Sequence, residues 1–81
     1  MRVTVCFHSW LKELSGCARI EEVLPPGSTV DALLERLNGR FLRLAAVQQS
    51  TLIAVGVDYQ GRDCVLHEGD EVSLFPPVQG G

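Results

Sequence analysis

No stretch of these 81 residues approaches the ~20 consecutive apolar positions that a membrane-spanning helix requires. A charged-then-apolar leader ending at a small-residue cleavage site is likewise missing from the N-terminal end. The seven basic residues against ten acidic ones form no basic stripe, which argues against a nucleic-acid partner. Cysteine is sparse: Cys6, Cys17 and Cys64 are odd in number and lack CxxC spacing, so neither a disulfide framework nor a zinc site is expected. Free thiols of this kind behave as small buried hydrophobes and suit a reducing compartment, the cytoplasm. Repeats, low-complexity tracts and linkers are absent. The glycines form no phosphate-binding loop, and no acid–base pair or nucleophile elbow can be read from the spacing. An enzyme carrying its own active site is therefore disfavoured, and no catalytic residue is assigned.

What is present is a compact alternation of strand and helix signals, enough for one domain over residues 1–81. RVTVCFH (2–8) alternates, with Val3, Val5 and Phe7 on one face and Arg2, Thr4, Cys6 and His8 on the other. Ser9 is placed to cap a short helix that Gly16 ends. ARIEEVL (18–24) reads as a second strand running into Pro25-Pro26-Gly27. Ser28 or Thr29 caps the main helix, in which Val30, Leu33, Leu34 and Leu37 recur at i, i+3, i+4 and i+7, and Asn38-Gly39 is expected to stop it. FLRLAAV (41–47) is compatible with a further helical turn. TLIAVGV (51–57) reads as a buried strand, residues 59–62 as a turn, and EVSLF (71–75) as the closing strand. This order, with four strands and one main helix, predicts an α+β layer pair, a mixed sheet with the helix packed across it, and fits a β-grasp arrangement best.

The most informative segment is FPPVQGG, residues 75–81. Pro76 and Pro77 cannot donate ladder hydrogen bonds, so the last strand must end near Phe75, and 76–81 are expected to form an extended, flexible tail. Gly80 and Gly81 lack Cβ atoms, fit channels too narrow for other residues and leave a carboxylate on Gly81 sterically open. A carboxylate resists nucleophiles until it is converted to a mixed anhydride with a phosphate. A narrow tail with an open carboxylate at its tip is suited to that activation.

The ending GDEVSLFPPVQGG (69–81) resembles that of the small subunit of molybdopterin synthase, the sulfur carrier of molybdenum cofactor biosynthesis, which ends in GDEV, a few apolar residues, PPV or PPI, one variable residue and GG. VTVCFHSWLKELSG (3–16) is similar to that family's first strand and helix, and PPGSTVDALLERL (25–37) to its threonine-led central helix. Two positions depart from the pattern: Gly56 stands where an asparagine often follows Ala-Val, and Trp10 where a more polar residue is commoner.

The resemblance implies a ubiquitin-like β-grasp fold. It further implies that a ubiquitin-activating-like adenylyltransferase, using ATP and magnesium, adenylates Gly81, and that a sulfurtransferase then leaves a Gly81 thiocarboxylate. The tail would enter the large synthase subunit, in a heterotetramer, and pass sulfur to cyclic pyranopterin monophosphate. On this reading the chain is no enzyme by itself, holds no permanent cofactor or metal, and leaves catalysis to the large subunit. Gly81 is the modified residue, Gly80 gives clearance, and Phe75, Pro76, Pro77, Val78 and Gln79 bind and guide.

Related β-grasp carriers serve thiamin thiazole, transfer RNA thiolation or cysteine synthesis, and some are protein modifiers. The paired prolines favour molybdopterin, because thiazole carriers usually lack them. A non-covalent interaction module is the rival of another class; it predicts that Gly80 and Gly81 are dispensable. Phe75 has two readings, an exposed anchor or a satellite core contact. Glu68, Asp70 and Glu71 form an acidic turn taken to lie beside the tail, His8 and His67 read as ordinary surface or strand residues, and Lys12 as a solvated helix residue.

Overall fold

The computed structural model describes residues 1–77. Five strands and two α-helices follow in the order β1 (Arg2–Phe7), α1 (Leu11–Ser15), β2 (Arg19–Val23), α2 (Val30–Arg40), a 3-10 helix (Leu42–Ser50), β3 (Leu52–Val55), β4 (Asp58–Tyr59) and β5 (Glu71–Phe75). The sheet order is β2-β1-β5-β3-β4. Strands β1 and β5 run parallel at its centre, with Val5 opposite Val72 and Phe7 opposite Leu74. The pairs β1–β2, β3–β5 and β3–β4 are antiparallel. This is the mixed sheet with a helix across it that the sequence predicts.

Alternation decides the two faces. Val3, Val5, Phe7, Ile53, Val72 and Leu74 meet Val30, Leu33, Leu34 and Leu37 of α2 in one apolar core, with Leu11 and Leu44 from the shorter helices. Burying each such side chain contributes about 1.5–3 kcal/mol. Phe7 meets Phe41 edge to face, with centroids 5.7 Å apart. Glu22 is the exception on this face. The register sets it opposite Val3, yet it stays buried because Arg40 reaches over from α2 to donate to its carboxylate at 2.6 Å, with Arg36 at 4.0 Å.

Helix α2 starts as expected: the Thr29 hydroxyl accepts a hydrogen bond from the Ala32 N–H at 3.3 Å, and Asp31 sits in the positively polarised first turn. It does not stop at Asn38-Gly39. Gly39 stays helical, and the helix continues to Arg40, where the Phe41 N–H donates to the Leu37 carbonyl at 2.7 Å. Tertiary anchoring of Arg40 on Glu22 and of Phe41 on Phe7 outweighs the modest penalty of glycine in a helix, about 1 kcal/mol.

Ser9 is no cap. Its backbone is left-handed (φ 56°), Trp10 occupies the N-cap position and no side-chain cap bond forms. The turn is forced because the His8 N–H is still bound to the Leu74 carbonyl (3.0 Å) while Leu11, three residues on, must reach the core. Such a residue costs roughly 1–2 kcal/mol, which core burial of Leu11 offsets. Gly16 ends α1 in the left-handed region, as expected.

The predicted strand 51–57 is shorter and is followed by a strand the sequence reading omits. Gly56, at φ 64°, and Val57 form a two-residue hairpin turn that pairs Val55 with Asp58 and Ala54 with Tyr59. A separate turn follows at Gly61, where the Cys64 N–H donates to the Gly61 carbonyl at 3.2 Å, overlapping the end of the predicted 59–62 segment. Asparagine tolerates the same left-handed backbone, so Gly56 keeps the conformation where it departs from the resemblance. The 3-10 helix extends the expected turn at 41–47 through Ser50. None of the three cysteines is fully buried: Cys17 and Cys64 pack against the core margin, and Cys6 lies on the opposite face of the sheet, where its strand's alternation puts it.

Candidate functional site

The tail begins where β5 ends, and the sheet decides what surrounds that point. Strand β5 stops at Phe75, as two following prolines without N–H groups require. Pro76 and Pro77 are half-buried. Val78, Gln79, Gly80 and Gly81 lie outside the described residues, so the expectations for them, and for an extended 76–81 segment, are not placed by the structure.

Phe75 points to the face of the sheet that α2 does not cover. Its neighbours Val72 and Leu74 belong to the core cluster, and Phe75 does not. Two rings flank it from opposite sides of β5. From the β1 side, the imidazole of His8 stacks nearly parallel on the phenyl ring, with centroids 4.4 Å apart and planes 14° from each other. From the β3–β4 side, the Tyr59 ring tilts towards it at 6.2 Å and 60°. Leu52, directly opposite Phe75 in the β3–β5 register, exposes part of its side chain, and Tyr59 is largely exposed. The tail root is thus bordered by an apolar and aromatic surface made of Phe75, His8, Tyr59 and Leu52. Exposed aromatic and aliphatic groups of this kind act as anchors for protein partners. Phe75 combines its two readings: it is outside the core, and it is half-buried by its own domain.

The far end of the same face is different in kind. Arg2 faces Glu21 at 3.6 Å, and Arg19 of β2 reaches across β1 to Glu71 of β5 at 3.7 Å. Beneath this pair lies Cys6, whose thiol pKa is raised above its ordinary value of 9.0 by burial first and then by the carboxylate of Glu71, with Arg19 acting in the opposite sense.

The acidic turn does not sit beside the tail. Glu71 opens β5 and Phe75 closes it, four residue steps or about 13 Å away. Its carboxylates also have partners within the domain: Glu68 accepts from the Arg2 N–H at 2.9 Å, Asp70 from the His67 N–H at 2.8 Å, and Glu71 faces Arg19. His67 is exposed, as read. His8 is not an ordinary strand residue: it is half-buried against Phe75, and its Nε2 is sealed from solvent with no hydrogen-bond partner among the described residues. Alternation had put His8 on this face; the parallel β1–β5 pairing that sets it beside Phe75 could not be read from spacing.

Among the described residues, no group of three or more His, Cys, Asp or Glu side chains is arranged to hold a metal, and no helix is long and apolar enough to cross a membrane.

Comparison with known proteins agrees with that geometry. The family model described as the ThiS family matches residues 5–81. The molybdopterin synthase sulfur carrier subunit of Escherichia coli K12 is 36% identical over 81 residues, covering 98% of this chain and 99% of that protein. A putative molybdopterin converting factor subunit 1 from Pyrococcus furiosus superposes with a TM-score of 0.88 at 29% identity, covering 96% of this chain and 99% of that one. A chain from the complex of subunits 1 and 2 of the molybdopterin-converting factor from Helicobacter pylori does so at 0.75 and 26% identity, over the whole of both chains. With the β-grasp sheet and a family match that runs through Gly81, the chain belongs to the ThiS family of ubiquitin-like sulfur carriers and is similar to molybdopterin synthase sulfur carrier subunits.

Proposed function

We propose that this protein is the sulfur-carrying subunit of a molybdopterin synthase and that Gly81 carries the sulfur. The observation that supports this most is the family match over residues 5–81, which takes in the PPVQGG segment together with the domain that presents it. In the proposed cycle the Gly81 carboxylate attacks the α-phosphate of ATP on a ubiquitin-activating-like adenylyltransferase, and magnesium pyrophosphate leaves. Sulfide-level sulfur supplied by a sulfurtransferase then attacks the acyl carbon of the adenylate, and AMP departs as the C–S bond forms, leaving the thiocarboxylate. The thiocarboxylate enters the large synthase subunit, which supplies the catalytic groups, and its sulfur passes to cyclic pyranopterin monophosphate.

The chain's own contribution is presentation. Glycines at 80 and 81 allow a narrow approach, the two prolines lower the entropy lost on capture, and the outer face around Phe75 docks. The pairing of subunits in the Helicobacter pylori complex supports a large-subunit partner of the same kind here.

Intact-mass measurement tests the reading. Protein incubated with the activating enzyme, magnesium, ATP and a sulfur donor is expected to gain the mass difference of one oxygen replaced by sulfur. Removal of Gly80 and Gly81 is expected to abolish the gain. An unchanged mass, in a mixture that converts the Escherichia coli carrier, overturns it.

A further inference from the structure

Phe75 is the last strand residue before the tail, and what determines the direction of its side chain is contact with two rings. Tyr59 touches it obliquely. His8 covers its face, nearly parallel at 4.4 Å. The backbone beneath is fixed independently, because the His8 N–H donates to the Leu74 carbonyl at 3.0 Å. The imidazole is therefore held one residue from the point it covers, and it cannot drift along the sheet. Its Nε2 is buried and has no hydrogen-bond partner among the described residues, so no bond to them at that nitrogen accounts for the ring's placement. A buried nitrogen without a partner is unfavourable, and the stack on Phe75 is the interaction that offsets it.

We propose that His8 is a positioning residue of the docking face, holding the Phe75 ring in one rotamer so that the tail root meets its partner preformed. This rests on the carrier reading for its biological meaning, though not for its geometry. Phe75 faces solvent on the side without α2, and in the absence of the imidazole it has room to change χ1. A partner would then have to select one rotamer from several. Aromatic contacts of this type bias an equilibrium by about two- to tenfold, which sets the size of the effect expected on binding.

Two measurements decide it. In the free protein, three-bond couplings to the Phe75 β-protons report its χ1 distribution. The wild type and His8→Phe, which keeps a flat ring, are expected to show one rotamer, and His8→Ala an average over several. In binding to the molybdopterin synthase large subunit encoded in the same genome, His8→Ala is expected to raise Kd about three- to tenfold, His8→Phe to restore it, and His8→Ala to have no further effect in a Phe75→Ala background. A single Phe75 rotamer in His8→Ala overturns the proposal, as does an equal Kd penalty with Phe75 already removed. If wild-type protein neither binds a large subunit nor accepts sulfur, the carrier reading fails, and the couplings still decide whether His8 positions Phe75.

Discussion

The two faces of the sheet are built from the same five strands and serve opposite purposes. On the closed face, Val3, Val5, Phe7, Val72 and Leu74 are buried by α2, and the one carboxylate there, Glu22, is held by Arg40 and Arg36. On the open face, ion pairs occupy one end and Phe75, His8, Tyr59 and Leu52 the other. The first face explains why the domain stands; the second offers the only concentrated apolar surface beside the tail root among the described residues. Stability and recognition are thus separated by a single step of strand alternation. Neighbouring residues such as Leu74 and Phe75 should respond to substitution in different measurements.

Substitution on the closed face gives the largest effect. Leu37→Ala leaves a cavity beneath α2 and is expected to lower unfolding free energy by about 3 kcal/mol, which for a domain of this size lowers Tm by roughly 12 °C or more. Denaturant or thermal melts check this. In protein that remains folded, binding to a large subunit is expected to match the wild type. A binding loss as large as the stability loss would break the separation of the two faces.

Phe75→Ala is expected to give the converse. Its stability loss should be about 1 kcal/mol, the value of its aromatic contacts, while affinity for the large subunit falls by about 2 kcal/mol or more, as for a central anchor. Calorimetric titration paired with a melt separates the two. A Tm drop comparable to that of Leu37→Ala would place Phe75 in the core after all.

Cys6, at the charged end of the open face, gives the smallest effect. Its thiol pKa is raised in the folded protein by burial and by Glu71. The folded state therefore holds the proton more tightly than the unfolded state, so this contribution is fully present below the unfolded value. It is lost as pH rises through the folded one. Wild-type stability is expected to decline above about pH 9 slightly more steeply than that of Cys6→Ser, as followed by Tm against pH. Equal slopes would show that burial and Glu71 do not raise the thiol pKa in the folded protein.

Elements whose residues repeat in step with their own geometry were readable without a structure. Val3, Val5 and Phe7 mark β1, Val30, Leu33, Leu34 and Leu37 mark α2, and the double proline ends β5 at Phe75. Where local preference met a tertiary demand, reading failed: Ser9 has good capping chemistry but lies in a turn that Leu11 must clear, and Gly39 is a helix stop overruled by contacts of Arg40 and Phe41. Strand β4 was missed because two residues carry no alternation, and the acidic turn was misplaced because nearness in sequence is not nearness along an extended strand.

The sequence alone determined which residues face the core and where the last strand must stop, because hydrophobic period and proline act through local backbone geometry. Only the tertiary structure decided that β1 lies parallel to β5. From that pairing comes the meeting of His8 with Phe75, two residues 67 positions apart in sequence that no local rule relates. Strand partnership is a contest among long-range contacts, settled by how the whole core closes.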